Sequence, residues 1–91
     1  MSTPGHTPGH QSLFVKLAKT GPLVLSGDLY HYPAERTLKD FLPFAGRGDD
    51  AKEASSKDKV EALLKDKAAT LWIQHDLEAD AKLKKSPAYY D

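Results

Sequence analysis

An α+β fold follows from three observations along this chain. Gln11 to Ala18 alternates Leu13, Val15 and Leu17 on one face with Ser12, Phe14 and Lys16 on the other, the period of a strand. Val60, Leu63 and Leu64 recur at the spacing of one helix face. Thr70-Leu71-Trp72-Ile73 is β-branched and aromatic, as a short strand requires. The predicted order is hairpin, helix, strand, short helix, within one small domain.

The first strand runs into Lys19-Thr20-Gly21-Pro22, which is turn chemistry. Leu23-Val24-Leu25 then continues without a polar break to Ser26-Gly27-Asp28, so a buried strand ends there at a polar tip. Together the two strands form a hairpin. Pro33 opens a short helical stretch that includes Glu35 to Lys39. Pro43, Gly46 and Gly48 make Phe41 to Asp50 an irregular surface loop. Ser55 with Asp58 fits a capping box, which starts the main helix near Ser55. The charges from Lys57 to Lys67 read as its solvated face. The third strand ends at Gln74-His75-Asp76, and a last helical piece from Leu77 to Lys84 precedes the aromatic tail Pro87-Ala88-Tyr89-Tyr90.

Bulk composition narrows the function classes. Thirteen basic and thirteen acidic residues cancel, so no overall field draws nucleic acid or an anionic membrane. No apolar run approaches the roughly 20 residues that span a bilayer. No cationic stretch followed by an apolar one opens the chain, which favours a cytoplasmic location. With no cysteine, disulfides, thiolate metal sites and a Cys nucleophile are excluded. Any metal must then be held by His and carboxylate.

The doubled Thr3-Pro-Gly-His-Thr-Pro-Gly-His10 holds two imidazoles on a stiff backbone just before a strand. His6, Asp28 and His75 each lie at or just past a predicted strand end, 22 and 47 residues apart. Strand ends in one sheet converge, so these side chains can meet. Two imidazoles and a carboxylate suit zinc, iron or manganese. A strand-end histidine is also commonly a surface or capping residue. Asp28 after Ser-Gly could equally satisfy backbone amides in a turn.

Thr3-Pro-Gly-His-Thr-Pro-Gly-His-Gln-Ser12, then Ser26-Gly-Asp28, then Trp72-Ile-Gln-His-Asp76, resemble the last three metal-ligand motifs of the metallo-β-lactamase superfamily. They are most similar to its quorum-quenching N-acyl homoserine lactonase branch. Leu83-Lys-Lys-Ser-Pro-Ala-Tyr-Tyr90 resembles the C-terminus of such proteins. The resemblance implies the C-terminal half of an αββα sandwich, with residues 1–91 as a single partial domain and the N-terminal half missing. It implies two zinc ions in an intact enzyme, and none or one weakly held by this chain. His6 would be the third ligand of the first metal, Asp28 would bridge both, and His75 would complete the second. His10 and Asp76 are expected to support the ligands from behind. Gly5 and Gly9 would let the backbone pass close to the site. In the family a metal-bridging hydroxide attacks the carbonyl of a small lactone or ester, and a metal polarises the carbonyl oxygen.

Two departures from the family pattern stand out. Relatives with lactonase activity carry a tyrosine three residues after the bridging aspartate, where its hydroxyl can stabilise an oxyanion. Here that position is His31, flanked by Tyr30 and Tyr32, so the catalytic candidates are Asp28, Tyr30 and His31. The H-x-H-x-D-H motif that supplies the remaining ligands is absent. The resemblance begins at Thr3, which fits an internal methionine read as a start or a truncated gene. Without the N-terminal half, Leu13, Val15, Leu17 and the Leu23 to Leu25 run are expected on an exposed sheet face that favours self-association. Phe41, Leu42 and Phe44 would line an acyl pocket or anchor a loop. The competing reading is a non-catalytic remnant or small interaction module without metal. Any partner other than a small substrate or a second copy, such as nucleic acid or membrane, is not expected.

Overall fold

In the computed structural model, residues 1–37 and 50–91 are described. Strands β1 (Leu13–Leu17) and β2 (Gly21–Leu25) pair antiparallel, with Leu13 opposite Leu25 and Val15 opposite Leu23. Gly21 leaves the turn at φ +87°, a conformation that favours glycine. The backbone N–H groups of Lys19 and Thr20 in that turn donate to the carbonyl of Asp91 at 2.7 and 2.6 Å. After β2 the chain makes two 3-10 turns, Gly27–Leu29 and Pro33–Arg36. Helix α1 (Asp50–Lys67) follows, then strand β3 (Thr70–Trp72) and helix α2 (Leu77–Lys82). β3 pairs parallel with β2, giving the sheet order β1-β2-β3. Parallel neighbours need a crossover, and α1 lies in it. The hairpin, helix, strand, short helix order is therefore the observed one.

The core lies between α1 and one face of the sheet. Val24, Leu29, Tyr30, Val60 and Leu64 are buried together, and Met1, Leu63, Ala69, Leu71 and Ile73 pack around them. Val24 and Leu71 are register partners, so β2 and β3 present the same face to the helix. The apolar spacing of Val60, Leu63 and Leu64 is the contact of α1 with that face.

Four expectations change. α1 starts at Asp50 and not near Ser55, because Asp50-Ala-Lys-Glu-Ala contains nothing that stops a helix. Ser55 is then an exposed interior residue and caps nothing. Lys57 is not on a solvated face: it is buried and paired with Glu53 at 3.4 Å and Glu35 at 3.9 Å. Leu23 and Val24 are buried at 3% and 0% exposure, Val24 because α1 covers its face of β2, whereas Leu13 is 56% and Phe14 40% exposed on the edge strand β1. The loop expected over Phe41–Asp50, with Phe41, Leu42 and Phe44, lies outside the described residues apart from the start of α1. Among the described residues no helix is long and apolar enough to cross a membrane.

Candidate metal centre

The segment that carries the doubled Pro-Gly-His is folded back on itself. Thr3 N–H donates to the His10 carbonyl at 3.0 Å, Ser12 N–H to the Met1 carbonyl at 3.0 Å, and Ser2 bridges Gln11. The two flanks thus pair like a short ribbon, with His6 in the connecting loop. Helix α1 grips this loop from outside. Ser56 Oγ donates to the Pro4 carbonyl at 2.7 Å and Lys59 Nζ to the Ser2 carbonyl at 2.9 Å. Gly5 has φ +143°, and a Cβ there would lie 2.4 Å from the Glu53 Cα. Glycine is needed at this position because the helix backbone occupies the space of a side chain. Gly9 has nothing within 4 Å of a built Cβ, so close approach does not explain it.

Beneath the loop lies a buried hydroxyl chain. Thr3, Ser12 and Ser26 are all fully buried. Thr3 Oγ1 is 3.0 Å from Ser12 Oγ, which donates to the Ser26 carbonyl at 2.9 Å. Buried hydroxyls need such partners, and here they tie the loop to the end of β2. His10 completes the link. Its Nε2 accepts from the backbone N–H of Asp28 at 3.0 Å, so its proton is on Nδ1, beside the Thr3 carbonyl at 3.1 Å and Thr3 Oγ1 at 2.9 Å. Both ring nitrogens are engaged with protein groups, as a supporting role requires.

Asp28 is where the separate segments meet. His75 Nε2 donates to its Oδ1 at 2.9 Å, and His6 Nε2 lies 3.6 Å from its Oδ2. Each oxygen of one carboxylate therefore faces a different imidazole. The hydrogen bond from His75 holds the Asp28 carboxyl below its ordinary pKa; partial burial opposes this, and the neighbouring His6, His75 and His31 reinforce it. His31 joins the same cluster. Its ring stacks on His75 with centroids 5.6 Å apart and meets His6 edge-on at 5.5 Å. The expected side chains do come together, Asp28 and His75 from just past β2 and β3 and His6 from the Pro-Gly-His loop. As they stand they form a hydrogen-bonded cluster, and among the described residues no three such donors are arranged to enclose an ion. The donor chemistry itself fits a borderline divalent cation, with one imidazole on either side of a carboxylate.

Two other candidates face elsewhere. Tyr30 is fully buried and its hydroxyl donates to Glu61 Oε1 of α1 at 3.0 Å. Burial, then that bond to a carboxylate, push its pKa upward, so the phenol is committed to the core and not to the cluster. Asp76 caps α2 by accepting from the Ala79 N–H at 3.1 Å. The sequence reading missed Glu61, Glu35 and the Thr3, Ser12 and Ser26 hydroxyls. The signal available for the last group was the small hydroxyl residues at the ends of the first two motifs, Thr3, Ser12 and Ser26.

No family profile matches the chain. It is 35% identical over 89 residues to an N-acyl homoserine lactonase of Bacillus sp, covering 98% of this chain and 34% of that protein. Against the N-acyl homoserine lactonase AttM of Azorhizobium caulinodans the identity is 40% over 93 residues, covering 98% and 33%. A solved N-acyl homoserine lactone hydrolase, with the product N-hexanoyl-L-homoserine bound at its catalytic metal center, superposes at a TM-score of 0.82. Its identity is 30%, and the match covers 100% of this chain and 35% of that one. A second structure, of a quorum-quenching N-acyl homoserine lactone hydrolase, gives 0.81 at 31% identity, covering 100% and 36%. The chain spans about a third of the length of the curated relatives it matches, less than the half expected. Agreement in sequence and in backbone across nearly all of its residues places the chain in the N-acyl homoserine lactonase-like branch of the metallo-β-lactamase superfamily, as the counterpart of a C-terminal part.

Proposed function

We propose that this chain supplies one side of the active site of a zinc-dependent hydrolase that opens small lactone or ester bonds, and that it is a partial domain needing the remainder of the fold to act. The observation that carries this is the Asp28 carboxylate with one imidazole at each oxygen, His75 at Oδ1 and His6 at Oδ2. A carboxylate shared between two ions needs that arrangement, with each histidine on its own side. Zinc bound there would supply Lewis acidity toward a carbonyl. The protein's own contribution is to hold the donors: His10 fixes the Asp28 backbone, and the buried hydroxyl chain fixes His10. His31 occupies the place where the resemblance implies a tyrosine. A cavity of about 460 Å³ is lined by Leu25, Ser26, Gly27, Trp72, Asp76 and Leu83 among others, and not by His6, Asp28 or His75. The substrate surface is then expected from the part of the fold that the longer relatives have and this chain does not span.

The test is to pair the chain with the N-terminal two-thirds of a related lactonase and measure hydrolysis of an N-acyl homoserine lactone with zinc present. Activity that needs both pieces and falls at least about 100-fold with Asp28→Asn supports the reading, since loss of a bridging donor removes several kcal/mol of stabilisation. Equal activity in that variant overturns it. A metal-free interaction module is favoured by one observation, that His75 Nε2 and Asp28 Oδ1 already bond to each other directly at 2.9 Å. Such a module would keep its stability and binding in His6→Ala and His75→Ala. The exposed Leu13 and Phe14 on β1 support self-association. Sedimentation should show a concentration-dependent dimer that Leu13→Lys weakens; a monomer at all concentrations contradicts it.

A further inference from the structure

We infer that Glu35, seated by the buried Lys57 of α1, is the positioning residue for His31, turning its Nδ1–H toward the carboxylate and leaving Nε2 as the lone-pair nitrogen. The functional weight of this assignment rests on the hydrolase reading of the Asp28 cluster; the geometry stands apart from it. Glu35 holds His31 at two points. The backbone N–H of His31 donates to Oε2 at 2.6 Å, and Nδ1 of its ring lies 3.6 Å from Oε1. That second spacing is longer than a formed hydrogen bond. A carboxylate so close nevertheless repels a ring lone pair and favours an N–H at that position. Glu35 is itself pinned. Lys57 Nζ lies 3.9 Å from Glu35 Oε2 and 3.4 Å from Glu53 Oε1, buried above the Tyr30 ring at 5.2 Å. A buried ammonium loses stabilisation if either carboxylate swings away, so the pair locks Glu35 against α1. The result reaches the cluster through His31, whose ring contacts both His75 and His6. This chain then offers a hydrogen-bond acceptor where the resemblance implies a hydroxyl donor.

Long-range proton–nitrogen correlation spectra of the histidine-labelled 91-residue chain, metal-free and at about pH 8 where imidazoles are neutral, read the tautomers directly. His31 is expected in the Nδ1–H form, alongside His10. Glu35→Ala should make that form the minority at His31 while His10 keeps it, and Glu35→Gln, which retains an acceptor oxygen, should restore it. A wild-type His31 in the Nε2–H form overturns the inference without any variant, so a substitution that unfolds the chain leaves it testable. Unchanged His31 populations in Glu35→Ala also overturn it. Zinc added to the same sample separates the two readings: unresponsive His6 and His75 count against the metal centre and leave the Glu35 result as it was.

Discussion

At Gly27 the backbone turns out of β2 with φ +58°, and a Cβ built there would lie 3.0 Å from Nε2 of His10. Only glycine both tolerates that conformation and leaves the imidazole room to accept from Asp28. Gly27→Ala is expected to destabilise the chain by about 1–3 kcal/mol in urea unfolding, whereas Gly9→Ala, with open space around it, should be near neutral. A second prediction concerns Glu61. Arg36 donates to both its oxygens at 2.8 Å, and this, with the Tyr30 hydroxyl, holds its carboxyl below the ordinary glutamate value against the effect of burial. A depressed carboxylate stabilises the fold above its unfolded pKa and stops doing so as pH falls through the folded one. Urea midpoints should therefore drop on the acid side, and Arg36→Met should flatten that drop while lowering the neutral-pH midpoint slightly. Both groups are about a third or more exposed, so the effect belongs to the weak, surface class of ion pair. An acid limb unchanged by Arg36→Met would remove Arg36 as its cause. Among the site residues, the meeting of His6, Asp28 and His75 was legible because strand ends converge. The choice between Tyr30 and His31 was not. It depends on which side chain the 3-10 exit turns toward α1, and the partner that takes Tyr30, Glu61, lies 31 residues away in sequence.

Helix α1 is the element that links the core to the histidine loop. Its Val60 and Leu64 fill the core, while Ser56 and Lys59 bind the loop carbonyls. Leu64→Ala, at a position 6% exposed, is expected to cost about 2–5 kcal/mol by lost burial and the cavity left behind. Leu77→Ala on α2, at 80% exposure, should cost under about 0.5 kcal/mol. Comparable losses at the two positions in chemical denaturation would contradict the core assignment. The apolar stripe of α1 was readable from its spacing, because burial selects for that period. Its start was not, because a Ser-x-x-Asp pattern caps a helix only where the preceding residues refuse helical geometry. The burial of Lys57 was hidden for a related reason: Glu53 stands one helical turn before it, but nothing local shows that Glu35 also closes over it.

Over the whole molecule, one sheet face is covered by α1 and the site lies where the ends of β2 and β3 and the Pro-Gly-His loop come together. The α+β order of elements follows from local periodicity and was readable throughout, whereas the parallel pairing of β2 with β3 needed the crossover to be seen. The extent of the chain relative to its relatives, about a third, is a property that no internal pattern can carry. The proposed chemistry rests on the single carboxylate flanked by two imidazoles. The most direct measurement is a zinc titration of the 91-residue chain followed through the imidazole resonances, which registers even weak binding. Joint, saturable shifts of His6 and His75 are expected, with His10 unmoved and the response abolished by Asp28→Asn. Resonances that ignore zinc, or that respond equally in Asp28→Asn, would contradict a metal centre built on Asp28.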